Sequence, residues 1–302
     1  MDLVNKVCIV TGSAQGIGKA IARILLEKGC KVCISDISHS ILNATYEDFK
    51  NEFGFKNVFM VVCDVTKNEE FRNLFDATEN CFNVKCIDIL VNNAGVSDKL
   101  GWRKCMQVNI VGVMNGGEIA LERMSKSPSK GTVINVASTA GLINVHHEMV
   151  GYGVSKHGVV AYTRIVSEDF ADHGVSMKAI CPLWVDTEMV ASGVKNSSQK
   201  LSSQIKKSIQ DTGGLLSPSD IAESVVQLLT KCGSGTVLFS AKNTPNIIIP
   251  DIQNPLLMML MVMAKIMAKS RSRSDWILQT WHQKLVLFCI FLSIVLLLSV
   301  II

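Results

Sequence analysis

Short apolar runs alternate along the first 250 positions with longer stretches whose apolar side chains recur at three- and four-residue spacing. Val-Cys-Ile-Val at 7–10 leads into a glycine-rich turn and then a periodic stretch, 19–28, with Ile21, Ala22, Leu25 and Leu26 on one face. Gly29 ends that stretch, and 31–35 is the next apolar run. The same alternation predicts helices near 40–53, 67–82, 103–124 and 152–172, and strands at 57–63, 87–91, 132–137 and 176–180. Ser217-Pro-Ser-Asp220 opens a helix over 221–230, and 236–240 reads as the last strand. Strand and helix alternating at this spacing imply right-handed βαβ units, hence an α/β chain with a doubly wound parallel sheet over residues 1–250. Between 188 and 214 the texture changes, with Ser, Lys and Gln dominating 192–208 and Gly213-Gly214 closing the segment. Two readings stand there: an insertion over the carboxyl ends of the strands, or a solvated surface helix.

Beyond Pro250 the alternation stops. An apolar, methionine-rich stretch at 255–264 and a basic one at 265–273 make up, with Trp276 and Trp281, a linker over 251–284. Residues 285–302 then carry no charge and no proline, and as a helix would extend about 27 Å, near the lower limit for a bilayer core. Cations and tryptophans ahead of the span fit a cytosolic interface. The expectation is a C-terminal membrane anchor on the cytosolic face of a membrane such as the endoplasmic reticulum. A hairpin in one leaflet, or a core helix in a cytoplasmic protein, is the alternative. Composition sharpens this picture. Of the net charge of +4, three belong to 251–302, which holds five cations against two anions. The nearly neutral body argues against nucleic-acid binding. Cys8, Cys33, Cys63 and Cys181 lie inside apolar runs, where cysteine behaves as a small hydrophobe, and no cysteine–histidine spacing matches a zinc site. The apolar run that begins at Val7 meets glycine too soon for a secretory leader.

Gly12, Gly16 and Gly18 sit between a strand and a helix, where glycines let backbone amides approach a pyrophosphate. Asp36, ending the second strand, can accept both hydroxyls of an adenosine ribose and repel a 2′-phosphate. Neither Ser13 nor Ile37 offers a cation for that phosphate, so NAD is expected in preference to NADP. Ser138 closes the run at 131–137; Tyr152 follows fourteen residues later, and Lys156 four beyond it. On a helix the last two share a face. An ammonium about 4 Å from a phenol, at an effective dielectric near 20, contributes about 4 kcal/mol, enough to bring a group that titrates near ~10 to neutral pH.

These residues, with Asp64, Asn92-Asn93-Ala94-Gly95, Asn109 and Pro182…Thr187, resemble the short-chain dehydrogenase/reductase family over residues 4 to 245. Ala14-Gln15-Gly16-Ile17-Gly18, the stretch 88–96 and Ser155-Lys-His-Gly158 are most similar to its NAD-dependent 15-hydroxyprostaglandin dehydrogenase branch. The resemblance implies a Rossmann-type fold and assigns roles. Tyr152 is the general base. Lys156 lowers its pKa and holds ribose hydroxyls, Ser138 binds the substrate oxygen, and Asn109 anchors a water that passes the proton on. Cofactor contacts fall on Gly12, Gln15, Gly16, Ile17, Gly18, Asp36, Ile37, Cys63, Asp64, Val65, Asn93, Val185 and Thr187, besides Tyr152 and Lys156. A homodimer through the helices near 103–124 and 152–172 is also implied.

Three positions depart from the family pattern. Leu183 stands where glycine is usual after Pro182, and the Ser138–Tyr152 interval is one residue longer than usual. His146-His147-Glu148 replaces a glutamine pair; His147 or Glu148 could meet the substrate, beside Ser138 and Tyr152, or could be ordinary loop positions. Adjacent histidines rarely converge on one ion, so no metal is expected. The implied activity is oxidation by NAD of a secondary alcohol on a lipophilic molecule, foremost a prostaglandin-like hydroxy fatty acid. Its carboxylate could pair with Lys195, Lys200, Lys206 or Lys207. The rivals are a membrane-anchored retinol or steroid dehydrogenase and a non-catalytic NAD-binding scaffold.

Overall fold

Every residue of β1 (Val7–Thr11) is buried, and its side chains serve two cores in alternation: Cys8 and Val10 on one face, Val7 and Ile9 on the other. A strand covered on both sides needs neighbours on both edges and helices on both faces. The computed structural model, which describes residues 2–251, supplies them. β2 (Lys31–Asp36), β3 (Val58–Val62), β4 (Ile89–Asn92), β5 (Gly131–Val136), β6 (Val175–Pro182), β7 (Val237–Ser240) and β8 (Ile247–Ile249) complete one sheet, in the order β3-β2-β1-β4-β5-β6-β7-β8. All pairs are parallel except β7–β8.

The helices are α1 (Gly16–Glu27), α2 (His39–Phe53), α3 (Asn68–Phe82), α4 (Trp102–Met106), α5 (Gly112–Met124), α6 (Val150–Asp172), α7 (Glu188–Asn196), α8 (Gln199–Asp211) and α9 (Pro218–Lys231). Apolar residues of α1, α2 and α9 fill one core, including Leu25, Phe49 and Val225. Those of α3, α5 and α6 fill the other, including Phe71, Ile119 and Phe170. The chain runs outward from β1 to β3, then returns to β4 and proceeds the other way. Strand order therefore reverses between β1 and β4, which opens a crevice at their carboxyl ends.

Three local features differ from the periodicity reading. The helix predicted over 103–124 is interrupted by a π-turn, Gln107–Val111, between α4 and α5. The extra residue in such a turn rotates the helix beyond it, and here the turn includes Asn109. The segment 188–214 forms two helices, parted at Ser197-Ser198, with the Ser198 hydroxyl accepting from Leu201 N–H at the start of α8. β8 lies beyond the last predicted strand; its three isoleucines fall between Pro245 and Pro250, a pattern suited to an edge strand.

Cys30 and Cys33 have Cys-x-x-Cys spacing but belong to opposite cores, so no redox pair forms, and burial pushes the Cys33 thiol up to about 12. The nine cysteines among the described residues are all free. One compact unit spans Met1–Ile249 and a second begins at Pro250. The expected linker, 251–284, lies outside the described residues except for Asp251, and the expected anchor, 285–302, lies wholly outside them. Among the described ones, no helix is long and apolar enough to cross a membrane.

Candidate functional site

The crevice between β1 and β4 continues as a cleft of about 450 Å³ past the ends of β5 and β6. Its floor is the glycine turn. Gly12 has φ +62°, and a Cβ there would lie 2.7 Å from the Ala94 Cα; one at Gly18 would overlap the Gly12 carbonyl and the Asn93 amide. Asn93 donates to Thr11 O (2.8 Å) and Gly12 O (2.9 Å), so its side chain fastens the turn while also lining the cleft. α1 begins at the cleft with no side-chain cap and no acid in its first turn, leaving its leading N–H groups for an anion. That bare helix start, a floor that no side chain fills, and a carboxylate beyond it fit a dinucleotide.

The carboxylate is Asp36. It accepts from Ala14 N–H (3.3 Å) and Ser38 N–H (3.1 Å), which fix it on the rim. Gln15, Gly16, Ile17, Ile37, Cys63, Asp64, Val65, Val185 and Thr187 line the same cleft. Burial opposes ionisation of Asp64, but hydrogen bonds from the Thr66 hydroxyl (2.7 Å) and N–H (3.0 Å) outweigh it and hold the carboxyl below its usual range. Lys104 lines the cleft and adds to that effect; no local pattern marks it in the sequence.

Ser138, Tyr152 and Lys156 meet at the deeper end, beside Leu183. Ser138 leaves β5 in extended conformation, its Oγ accepting from Ala140 N–H (3.1 Å) and sharing a hydrogen bond with the Tyr152 hydroxyl. α6 carries Tyr152 and Lys156 on one face, and the Lys156 Nζ lies 5.8 Å from the Tyr152 ring centroid. Asp98 orients that helix by accepting from Gly151 N–H (3.0 Å) and Tyr152 N–H (2.8 Å), a role no local pattern revealed. Asn109 is fully buried and does not line the cleft. Its amide accepts from Val96 N–H (2.7 Å) and donates to Val96 O (2.9 Å) and Ser155 Oγ (3.0 Å). It therefore pins α6 to the loop that follows β4.

Burial sets the direction of both shifts in this pair. Burial pushes Tyr152 above its ordinary value, against the Ser138 hydrogen bond, and pushes Lys156 down from 10.5 to about 8. The ammonium is held by Val136 O at 2.7 Å. A base depressed in the folded state weakens folding below its pKa there, and the loss is relieved as pH rises from about 8 towards 10.5. Lys156→Met lacks this dependence. The unfolding free energy of the wild type relative to Lys156→Met should rise by about 2 kcal/mol between pH 7 and 9.5. Denaturant melts of both chains check it, and parallel pH curves would refute a buried ammonium.

The loop before α6 departs most from expectation. His147 and Glu148 do not line the cleft. Glu148 accepts from the Ser198 hydroxyl (2.5 Å) and the Ser198 N–H (3.1 Å), so its carboxylate is bound to the start of α8 rather than presented to a substrate. Those bonds hold it below the usual carboxylate range. His146, His147 and Glu148 each bring a ligand atom within 4.8 Å of the others, closer than adjacent positions suggested, but both Glu148 oxygens already serve Ser198. Lys195, Lys200, Lys206 and Lys207 are exposed and outside the cleft. α7 resolves the two readings of its segment, because Glu188, Met189 and Val190 line the cleft while α8 packs behind with Leu201 and Ile205 buried.

A family model described as "short chain dehydrogenase" matches residues 6–198. The chain is 36% identical over 236 residues to 15-hydroxyprostaglandin dehydrogenase [NAD(+)] of Bos taurus, covering 76% of this chain and 88% of that one. It is 32% identical over 242 residues to diacetyl reductase [(S)-acetoin forming] of Staphylococcus epidermidis, covering 73% and 90%. Among solved structures, levodione reductase superposes with a TM-score of 0.72 at 26% identity, over 79% of this chain and 96% of the other.

Proposed function

The chain belongs to the short chain dehydrogenase family, and from that membership we propose that it is an NAD-dependent oxidoreductase converting a secondary alcohol of a lipophilic substrate to a ketone. The observation that carries the reading is the meeting of Ser138, Tyr152 and Lys156 in one cleft with Asp36 and the glycine turn. When bound, NAD supplies the acceptor for the hydride that leaves the alcohol carbon. Tyr152 takes the hydroxyl proton, Ser138 donates to the oxygen as it becomes a carbonyl, and Lys156 places a positive charge beside the phenol. Gly12, Gly16 and Gly18 leave room for the pyrophosphate at the start of α1, and Asp36 holds the adenosine ribose.

Substrate class rests on the lining, to which Val96, Leu100, Leu183, Met189 and Val190 contribute apolar side chains. Together with the similarity to 15-hydroxyprostaglandin dehydrogenases, this favours a prostaglandin-like hydroxy fatty acid. Pairing of its carboxylate with the four lysines of α7 and α8 finds no support in their positions. Exposed Val111, Met114, Val154 and Ile165 favour a homodimer through the helices expected to form it.

The full chain, offered NAD and a panel of prostaglandin-type hydroxy acids, hydroxysteroids, retinol and acetoin-sized alcohols, should show kcat/KM at least about tenfold higher for the hydroxy acids. NADH appearance is the readout. Preference for retinol or a hydroxysteroid would move the assignment to that substrate, and NAD binding with no oxidation at all would favour a scaffold. The membrane attachment proposed from 285–302 is tested on the same material, by comparing sedimentation with vesicles before and after that segment is removed.

A further inference from the structure

α8 is tied at both ends to loops that adjoin the cleft, one leading to Tyr152 and one leaving Pro182. At its start, Ser198 donates through its hydroxyl (2.5 Å) and its N–H (3.1 Å) to Glu148, four residues before Tyr152. Near its end, Ser208 Oγ accepts from the Trp184 Nε1 at 2.9 Å, and Trp184 follows Leu183 in the loop that leaves β6. α7, which contributes Met189 and Val190 to the cleft, is joined to this crossbar by only Ser197 and Ser198. The two ends are unequal. The Trp184 end is part-buried, whereas the Glu148–Ser198 pair is exposed to solvent, where charged hydrogen bonds are individually weak and readily exchanged.

We propose that Glu148 is a specificity-determining positioning residue, a releasable latch on Ser198 that holds α7 and α8 so that Met189 and Val190 form the apolar wall met by long substrates. The proposal rests on the alcohol oxidation put forward above. It gives the unusual loop a role without contact between Glu148 and the substrate. Opening the latch frees the start of α8, displaces the wall and leaves Ser138, Tyr152 and Lys156 in place. Long lipophilic alcohols then lose affinity, while short ones that never reach the wall do not.

Three variants of the full chain test it: Glu148→Ala, Ser198→Ala and the double variant. Each single change should raise KM for a long-chain secondary alcohol about tenfold, leave kcat and the KM for a short secondary alcohol within about twofold, and the double variant should be no worse than either single one. Glu148→Asp, which keeps the carboxylate, should recover part of the loss. Trypsin supplies a readout independent of turnover, because Lys195 and Lys200 flank the latch and are exposed. Cleavage after Lys200 should accelerate several-fold in the single variants and no further in the double one. Additive effects, equal changes for long and short alcohols, or unchanged cleavage would each overturn the latch. If the wild type oxidises no alcohol, the enzymatic reading fails, and the trypsin comparison alone decides whether the latch exists.

Discussion

Tyr152→Phe is expected to lower kcat by about a thousandfold while leaving NAD affinity within about twofold. The substitution keeps the ring and removes one oxygen. Ser138 still accepts from Ala140 N–H, and the Lys156 ammonium still donates to Val136 O, so neither neighbour loses all its partners. What disappears is the atom proposed to take the proton of the alcohol. Its importance is greater because the site contains no substitute at hand: Cys105 and Cys181, the thiols that bear electrostatically on Tyr152, are pushed up to about 11 and about 12 by burial. The phenol is itself raised by burial, while Lys156, brought down to about 8, still carries its charge near neutral pH. Stopped-flow NADH formation and NAD titration by intrinsic fluorescence measure the two quantities separately. A parallel loss of both would mean that the ring, rather than the hydroxyl, is what the site needs. Equal and negligible turnover in both chains, with NAD still bound, would end the enzymatic reading.

The parts of this arrangement that could be read from the chain are those whose cause is local. Buried parallel strands declare themselves as unbroken apolar runs, and the glycine turn is set by the φ of +62° at Gly12 and the close approach of Gly18 to the Gly12 carbonyl. Tyr152 and Lys156 share a face because a helix places them there. The illegible parts depend on partners distant in sequence. Asp98 caps a helix that begins about fifty residues later, and Asn109 lies in a π-turn that apolar periodicity does not register. Glu148 looked available for a substrate because its partner, Ser198, lies in a segment whose composition is that of any solvated surface. The spacing of Tyr152 and Lys156 likewise suggested a preset base. Spacing carries no information about burial, and burial acts against the charge on each of them.

Asp36→Ala is expected to reduce the preference for NAD over NADP by at least about a hundredfold, through two effects of opposite sign on the two cofactors. Charge-assisted hydrogen bonds to the ribose contribute about 1.5–3 kcal/mol, so their loss should weaken NAD roughly ten- to a hundredfold. The same carboxylate, fixed by Ala14 and Ser38 N–H, would face a 2′-phosphate in the proposed binding mode. Two negative charges on that phosphate, about 5 Å from a carboxylate on a partly exposed rim, are repelled by several kcal/mol before solvent screening and by roughly 2 after it. Removing the carboxylate should therefore strengthen NADP while NAD weakens. Asp36→Asn separates the two terms. Its amide oxygen can still accept a hydrogen bond, so NAD should fall less than in the alanine variant, whereas the repulsion of NADP should vanish as completely. No lysine or arginine stands at Ser13 or Ile37 to attract the phosphate, so neither variant should prefer NADP outright. The ratio of kcat/KM for the two cofactors, with one alcohol held constant, is the measurement. If that ratio stays within about threefold of wild type in both variants, the rim carboxylate is not what selects the cofactor.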